Sequence, residues 1–317
     1  MSIELPLESA SLVQLQQTPI DAVLSSIDEG LVHLPTYREL YYRWERQQWR
    51  SQEIDFTADR LQWEQMPEQE HRERITGLAA FFQGEACVTD TLAPYVVAMP
   101  DEEMRIFVTT QLVDEARHTV FFARFFKEVI GIDSGALEET LGVVRQYMNA
   151  ELKYILIDSL AEVAERIRLE PRNMAHLVEG VTLYHVIVEG TMALAGQRAL
   201  LDFYRQNNVF PAFRGGFTAV ARDESRHVVF GVKFLRDMIQ QDAANAELVR
   251  ATINKYAPTA LKAITPADEF IPNILAAQGD PWVTPRYAQD SLRKKLKVIG
   301  LKMEPPAVPP PPVFDNK

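Results

Sequence analysis

Two short motifs pair a glutamate with a histidine three residues later. Glu115 and His118 form the first pair, and Glu224 and His227 form the second. Residues three apart lie on one face of an α-helix, since three residues rotate about 300° at 3.6 residues per turn. A single pair of this kind is common on helix surfaces. Its recurrence in a second long apolar segment indicates a shared chemical role.

A lone glutamate precedes each pair in the preceding helical segment. Glu85 stands before the first pair and Glu189 before the second. The order Glu, ExxH, Glu, ExxH is the ligand set of a dinuclear carboxylate site inside a four-helix bundle. We therefore predict that these six side chains bind two metal ions.

The surroundings of these residues favour a metal site over solvated helix surfaces. Phenylalanines and valines flank both pairs, for example in segments 120–122 and 228–230. Buried carboxylates are costly unless they are paired or bound to metal. Four carboxylates and two imidazoles form an oxygen-rich set that suits iron or manganese. We interpret the single cysteine, Cys87, as a buried small apolar residue and not as a ligand.

Long segments with helical periodicity and no strand-like alternation predict an all-α fold. We expect helices from Pro67 to about Met99, from Pro100 to about Ile130, from Pro171 to about Gln206, and from Pro211 to about Gln241. Residues 1–300 are predicted to form a single domain with a metal-binding core at about 68–241. The proline-rich residues 301–317 are predicted to form a mobile tail.

Composition excludes several classes of protein. The 317 residues carry a net charge of −11, which argues against nucleic acid as a partner. One cysteine cannot form an internal disulfide and suits a reducing cytosol. The N-terminus has no secretory signal pattern, and no uncharged apolar run reaches membrane-spanning length, so we expect a cytoplasmic protein without a transmembrane segment.

The motifs resemble those of the ribonucleotide reductase small-subunit superfamily, and more closely those of its ligand-binding oxidases with a manganese/iron centre. The resemblance is carried by segments 84–89, 114–118, 184–190 and 223–227. It implies a ferritin-like four-helix-bundle core with flanking helices. The implied manganese ligands are Glu85, Glu115 and His118, with Glu115 bridging, and the implied iron ligands are Glu189, Glu224 and His227. A centre of two irons is the alternative.

The same resemblance implies roles for four further residues. Trp49 and Asp223 would form a hydrogen-bonded chain that orients His118. Val88 and Tyr184 would become joined by an ether link when the centre reduces dioxygen. Helical spacing places Val88 beside Glu85 on the metal-facing side. Tyr184, five residues before Glu189, would point about 140° away unless the helix carries a π-bulge.

The implied function is a two-electron oxidation of a C–H bond by dioxygen, in a homodimer that binds a long-chain fatty acid or similar lipid. A reductase small subunit is the first alternative. Phe122, four residues after His118, stands where many of those subunits have a radical tyrosine, and no tyrosine follows Tyr287 to relay a radical. A fatty-acyl desaturase or monooxygenase and an iron-storage ferroxidase are the others. His185 is a candidate pocket residue.

Overall fold

A computed structural model describes residues 7–266, 271–276 and 279–308. These ranges contain helices and no strands, which confirms the all-α prediction. The α-helices are α1 (Leu12–Gln17), α2 (Ile20–Val32), α3 (Tyr37–Arg46), α4 (Thr57–Glu64), α5 (Glu68–Thr91), α6 (Ala93–Ala98), α7 (Glu102–Phe125), α8 (Leu137–Val144), α9 (Ala150–Lys153), α10 (Leu160–Leu169), α11 (Met174–Val181), α12 (Leu194–Gln206), α13 (Pro211–Gln241), α14 (Asn245–Ala263), α15 (Ile271–Ala276) and α16 (Val283–Ile299).

Shorter helical segments join or continue these helices. Segments Phe126–Ile130, Tyr154–Ser159 and Thr182–Ala193 are π-helical, and Leu7–Ser9, Ser51–Glu53 and Arg145–Tyr147 are 3₁₀ turns. The π-helical segment Thr182–Ala193 runs directly from α11 into α12, so these three form one continuous helix. That helix, α5, α7 and α13 make up the central bundle.

The bundle is assembled by pairwise contacts along its long helices. Helix α5 packs on α7, and α13 packs on the π-helical segment Thr182–Ala193. Helices α1 and α2 cover α13, α3 covers α7, and α14 and α16 cover the π-helical segment from outside. Each of the four central helices is therefore enclosed on several sides, which allows polar groups to be buried inside the bundle.

Two predicted helix boundaries were wrong. The helix expected from Pro67 to about Met99 divides at Leu92 into α5 and α6, because Pro94 has no backbone N–H to continue the hydrogen-bond ladder. The helix expected from Pro171 begins at Met174 instead. The side chain of Asn173 caps it by accepting a hydrogen bond of 3.2 Å from the Ala175 N–H.

The start of α13 is held by side chains of α4. Asp59 accepts hydrogen bonds from the backbone N–H groups of Ala212 (3.0 Å) and Phe213 (2.7 Å), and Gln62 accepts one of 2.7 Å from Phe210. Phe210 has a left-handed backbone with φ of 46°, which is costly for a residue other than glycine. The α4 side chains therefore satisfy the free donors of α13 and stabilise the sharp entry into the helix.

One helical run, Met174–Gln206, is long and apolar enough to span a membrane by length and composition alone. The protein buries 89% of its apolar window, and core helices commonly pass the same test. This burial accounts for the apolar composition of the run.

The tail begins in contact with α16. Gln289 donates a hydrogen bond of 2.7 Å to the Pro306 carbonyl, and Arg293 forms an ion pair of 3.0 Å with Glu304. Residues 309–317 lie outside the described residues, so the predicted mobility of the tail stays a prediction.

We expect the substitution Asp59→Ala to destabilise the protein by about 1–2 kcal/mol, because two backbone donors at the start of α13 lose their acceptor. Urea denaturation of the metal-free protein measures this loss. The matched control is Glu64→Ala on the same helix, whose exposed side chain predicts a change within about 0.5 kcal/mol. Equal effects of the two substitutions would contradict the capping role of Asp59.

Candidate metal centre

The structure brings the six predicted ligand residues into one buried cluster. Helix α5 supplies Glu85, α7 supplies Glu115 and His118, the π-helical segment Thr182–Ala193 supplies Glu189, and α13 supplies Glu224 and His227. All six are buried. We refer to them together as the carboxylate–imidazole cluster.

The first half of the cluster is built around His118. Its Nδ1 atom lies 3.2 Å from Glu85 Oε2, 3.4 Å from Glu115 Oε2 and 3.6 Å from Glu224 Oε1. One ligand atom from each of these four residues falls within 4.8 Å of all the others. This arrangement is compact enough for a single metal ion.

The second half is built in the same way around His227. Its Nδ1 atom lies 3.2 Å from Glu115 Oε1, 3.3 Å from Glu189 Oε1 and 3.4 Å from Glu224 Oε2. These four residues form a second group that satisfies the same 4.8 Å limit. Glu115 and Glu224 belong to both groups, so both carboxylates are placed to bridge two ions.

Several ligand atoms in the cluster have no hydrogen-bond partner among the described residues. These are Glu189 Oε2, Glu224 Oε2 and His227 Nδ1. Buried polar atoms are normally satisfied, and an isolated buried carboxylate oxygen is costly. A pair of divalent cations would satisfy these atoms and neutralise the four carboxylates. The residues present therefore fit a dinuclear centre.

The two motifs orient each other's histidines. Asp223, in the second motif, lies 3.3 Å from His118 Nε2 and accepts a hydrogen bond of 2.7 Å from Trp49 Nε1. The structure thus joins Trp49, Asp223 and His118 in the predicted order. Such a carboxylate fixes the ring orientation and leaves Nδ1 free to face the cluster.

A matching chain on the other side was missed by the sequence analysis. Asp114, in the first motif, lies 3.2 Å from His227 Nε2 and accepts a hydrogen bond of 3.0 Å from Trp44 Nε1. The sequence contains a signal for this second chain, because an aspartate directly precedes the glutamate in both motifs. Each motif therefore supplies one histidine and the aspartate that orients the other histidine.

Two arginines hold the aspartates together. Arg226 donates to Asp223 Oδ1 at 2.9 Å and to Asp114 Oδ2 at 2.7 Å, and Arg117 contacts both carboxylates as well. Burial alone would raise the pKa of Asp223, but the charge of Arg226 and the hydrogen bond to His118 outweigh it and hold that pKa well below its usual range. Asp223 is thus kept ionised beside the His118 ring.

Tyr184 reaches the cluster because the segment that carries it is π-helical. Hydrogen bonds from residue i to i+5 characterise this form, so residues five apart come close to one face. The Tyr184 hydroxyl donates a hydrogen bond of 2.8 Å to Glu115 Oε1. The sequence predicts that Tyr184 faces the metals only if its helix contains a π-bulge. The π-helical segment Thr182–Ala193 meets this condition.

Gln111 and His185 extend this polar network and keep Tyr184 in place. Gln111 Nε2 donates at 3.1 Å both to the Tyr184 hydroxyl and to Glu189 Oε1, while Gln111 Oε1 lies 3.0 Å from His185 Nε2. Burial lowers the pKa of His185 to about 3, so its ring is neutral and donates to Gln111. This fixes the orientation of the Gln111 amide. Periodicity alone gave no signal for Gln111.

A cavity of about 510 Å³ adjoins the cluster. The cluster carboxylates Glu85, Glu115, Glu189 and Glu224 line it, together with Val88 and Tyr184. Apolar side chains form most of the remaining wall. The two residues of the expected ether link therefore line the same cavity as the cluster carboxylates.

Comparison with known proteins gives consistent results. The sequence model of the family described as ribonucleotide reductase, small chain, matches residues 32–265. The fold is similar to a variant of an R2-like ligand-binding oxidase with an anaerobically reconstituted Mn/Fe cofactor, with a TM-score of 0.72 and 23% sequence identity over 83% of this chain and 93% of that chain. An aerobically reconstituted Mn/Fe variant matches with a TM-score of 0.72 at 22% identity, and one with a non-activated Mn/Mn cofactor with 0.72 at 23%, both over the same shares of the chains.

The cluster predicts an unusual pH dependence in the metal-free protein. Burial, with a contribution from the charge of Glu115, raises the pKa values of Glu85 and Glu224 to about 7, and burial raises that of Glu189 well above its usual range. Carboxyls with a raised pKa stabilise the folded state at low pH and lose that contribution as the pH rises through the folded value. We therefore expect the metal-free protein to gain a few kcal/mol of stability as the pH falls from 8 to 5.

Urea denaturation of metal-free and metal-loaded protein across this range measures the effect. Metal binding requires deprotonated carboxylates, so the loaded protein should instead lose stability as the pH falls. Glu189→Gln should flatten the slope of the metal-free protein, and the exposed control Glu165→Gln should leave it unchanged. A metal-free protein that becomes more stable towards pH 8 would contradict the prediction.

Proposed function

Because the chain belongs to the ribonucleotide reductase small-chain family, we propose that it is a dinuclear manganese/iron oxidase that uses dioxygen for a two-electron oxidation of a C–H bond. The carboxylate–imidazole cluster supports the metal centre, and the manganese/iron cofactors of similar solved structures support the choice of metals. In this proposal Glu85, Glu115 and His118 hold manganese, and Glu189, Glu224 and His227 hold iron. Glu224, like Glu115, belongs to both ligand groups and is placed to bridge the two metals.

The observation that carries the oxidase proposal is the position of Tyr184. Its hydroxyl lies 2.8 Å from Glu115 Oε1, and its ring lines the cavity that also exposes Val88 to the cluster. A core tyrosine with only a packing role has no need of a π-helix twelve residues long to reach a buried carboxylate. The proposed product is an ether link between the Val88 Cβ atom and the Tyr184 oxygen.

The proposed link is an oxidation that removes two electrons and two protons. The Cβ–H bond of Val88 and the O–H bond of Tyr184 break, and a C–O bond forms between the two residues. Manganese and iron, when bound, would supply the other two electrons that dioxygen needs for its reduction to water. Dioxygen is thus the oxidant, and its reduction to two water molecules takes two protons from Val88 and Tyr184 and two from solvent.

The chain's own residues prepare Tyr184 for this reaction. Burial and the neighbouring charge of Glu115 keep the pKa of Tyr184 well above its usual range, so the hydroxyl retains its proton before the reaction. The hydroxyl points its proton at Glu115 Oε1, which directs the O–H bond towards the cluster. Gln111 donates to the tyrosine oxygen and so fixes the direction of the O–H bond towards Glu115.

A reductase small subunit is the alternative that family membership itself favours. That function would need a large-subunit partner and an oxidised residue or metal that is kept for radical transfer. Phe122 is fully buried and packs against Phe82 and Phe213, so the position four after His118 holds no oxidisable hydroxyl. The described residues after Tyr287 also contain no tyrosine. Both observations favour the oxidase over radical relay.

The cavity supports the proposal of a long hydrocarbon ligand. It is about 510 Å³ in volume, within the range of sites for small molecules, and its wall is mostly apolar. We propose a long-chain fatty acid or similar lipid as the occupant. We also propose a cytoplasmic location, because a single cysteine suits a reducing compartment.

After loading with manganese and ferrous iron in air, we expect a joined peptide that contains Val88 and Tyr184 and is lighter by two hydrogens than the separate peptides together. Peptide mass mapping measures this product. The variant Tyr184→Phe should abolish the link while retaining both metals, because it removes the attacking oxygen and leaves the six cluster residues intact.

Separate peptides from wild-type protein shown to contain two metals would overturn the cross-link. The reductase alternative would then be tested by nucleotide reduction after addition of a large subunit. A ferroxidase would instead show repeated turnover of ferrous iron beyond two per chain.

We also propose that the protein is a homodimer through the outer face of α7. Ile106, Val113 and Val120 lie seven residues apart on that helix and are 42%, 50% and 47% exposed. Residues at this spacing share one face, so they form an apolar stripe four turns long. Exposed apolar stripes of this kind commonly mark protein contacts, and a twofold dimer lets the same stripe pack on itself.

Light scattering after size-exclusion chromatography should give twice the chain mass of 36.1 kDa. The double variant Val113→Glu, Val120→Glu should elute as a single chain, because charges in the centre of the stripe prevent burial. Leu61→Glu, at an equally exposed leucine on α4, is the control and should remain dimeric. A wild-type protein with the mass of one chain would exclude this dimer.

A further inference from the structure

The end of the π-helical segment Thr182–Ala193 passes over one backbone carbonyl. The N–H of Leu194, the first residue after the segment, bonds to the Glu189 carbonyl five residues back and to the Thr191 carbonyl. The hydrogen bonds of helix α12 then run four residues back. Because Gly190 lies between Glu189 and Thr191, the change from five-residue to four-residue spacing skips its carbonyl.

A side chain of α16 bonds to the skipped carbonyl. Ser291 is buried, and its Oγ atom donates a hydrogen bond of 3.0 Å to the Gly190 carbonyl. Lys295 Nζ donates to Ser291 Oγ at 2.5 Å, so the serine proton points away from the amine and towards Gly190. Ser291 and Lys295 are four residues apart on α16 and therefore share one face of that helix. We refer to these two residues as the α16 pair.

Lys295 is buried without an acid beside it. The residue is 1% exposed, and within the described ranges its amine donates to Ser291 atoms and to no carboxylate. Burial of an unpaired amine is costly, and it lowers the pKa of Lys295 to about 7. An apolar side chain of the same length would avoid this cost. The amine contributes the hydrogen bond that directs the Ser291 hydroxyl.

The α16 pair lies directly against the backbone of the π-helix. A Cβ atom at Gly190 would lie 2.6 Å from Lys295 Cε and 3.0 Å from Lys295 Cδ, closer than nonbonded carbon atoms pack. The absence of a side chain at Gly190 therefore lets the lysine stem cross the helix at this point. The contact is specific to this position of the segment.

The α16 pair favours the π-helix over the α-helix by occupying this carbonyl. In an α-helix the Leu194 N–H would bond to the Gly190 carbonyl, four residues back, instead of to Glu189. A buried carbonyl without a donor is costly, so loss of the Ser291 hydroxyl would favour the α-helical bond, which satisfies Gly190 within the helix. Five residues of α-helix turn about 140°, so this change rotates Tyr184 away from the direction of Glu189.

We propose that Ser291 and Lys295 are positioning residues that keep segment Thr182–Ala193 π-helical and so hold the Tyr184 hydroxyl at the cluster. This rests on the proposed function, in which Tyr184 supplies the oxygen atom of the link. It adds a helix outside the central bundle to the elements on which the link depends. Neither residue of the α16 pair lines the cavity, so both act through the backbone of the π-helix.

The first test locates Tyr184 before any reaction, in crystals loaded with manganese and ferrous iron without oxygen. The wild-type hydroxyl lies 2.8 Å from Glu115 Oε1. In Ser291→Ala it should leave Glu115, and in Ser291→Thr, which keeps a hydroxyl, it should stay. The matched control is Thr252→Val, which removes a buried hydroxyl of α14 that bonds to the Leu248 carbonyl of its own helix, and Tyr184 should stay in place. A tyrosine still bonded to Glu115 in Ser291→Ala would overturn the proposal.

The second test follows the Val88–Tyr184 link by peptide mass mapping at intervals after air is admitted. Ser291→Ala should keep both metals and form the link more slowly, by a factor on the order of 100, because a reacting atom is misplaced. Ser291→Thr should restore the rate. Lys295→Met, which keeps the serine and removes the donor that directs it, should slow the link by a smaller factor, and it carries both tests if Ser291→Ala does not fold. Loss of metals in Ser291→Ala would mean that the α16 pair holds Glu189 and would overturn its assignment to Tyr184.

These results are separable from the oxidase proposal. The position of Tyr184 is measured without oxygen, so it does not depend on whether the link forms. A displaced Tyr184 in Ser291→Ala, together with separate peptides from wild-type protein in air, would keep the role of the α16 pair and remove the oxidase proposal. A link that forms at the wild-type rate in both Ser291→Ala and Lys295→Met would overturn the role of the α16 pair and keep the oxidase.

Discussion

The structure depends on the burial of four carboxylates and two imidazoles in the middle of an apolar bundle. Such a cluster is unstable by itself, since desolvation and mutual repulsion oppose the charged forms of Glu85, Glu189 and Glu224. The surrounding network does not neutralise the cluster directly. It forms an outer layer in which Asp114 and Asp223 orient the histidines and Arg226 joins the two aspartates. The charge in the centre is left for metal ions to balance.

The π-helical segment Thr182–Ala193 places Tyr184 and Glu189 on the same side, facing the cluster, which an α-helix would not do. Glu189 must face the cluster, and Tyr184 must face it too, although five residues of α-helix would turn them apart. The widened segment needs support from outside, which α16 supplies. Ser291 donates a hydrogen bond of 3.0 Å to the Gly190 carbonyl, and Lys295 donates to Ser291 at 2.5 Å. Burial lowers the pKa of Lys295 to about 7, so α16 supports the π-helix at the cost of a desolvated amine.

The sequence was sufficient to place the six cluster residues because their signal is local. Each ExxH pair spans three residues, and helical periodicity decides its face without any knowledge of tertiary contacts. The all-α class and the exact span of α13 followed from the same periodicity and from Pro211. The helix boundary at Leu92 was not predicted because the apolar pattern continues past Pro94.

The rest of the site depends on contacts between distant parts of the chain. Trp44 meets Asp114 across 70 residues, and Gln111 meets Tyr184 across 73. No spacing rule predicts such pairs. A π-helix was predicted only as the condition for Tyr184 to face the metals. Nothing in residues 182–193 distinguishes a π-helix from an apolar α-helix.

Helix α5 links these features because one of its faces carries them in order. From the surface inwards that face presents Arg74, the open positions Gly77 and Gly84, the cluster residue Glu85, and then Val88. A helix rises by about 1.5 Å per residue without appreciable flexibility, so it acts as a fixed scale along the cavity. The same rigid spacing holds Val88 beside Glu85, so the carbon atom of the proposed link lies at a fixed position relative to the cluster.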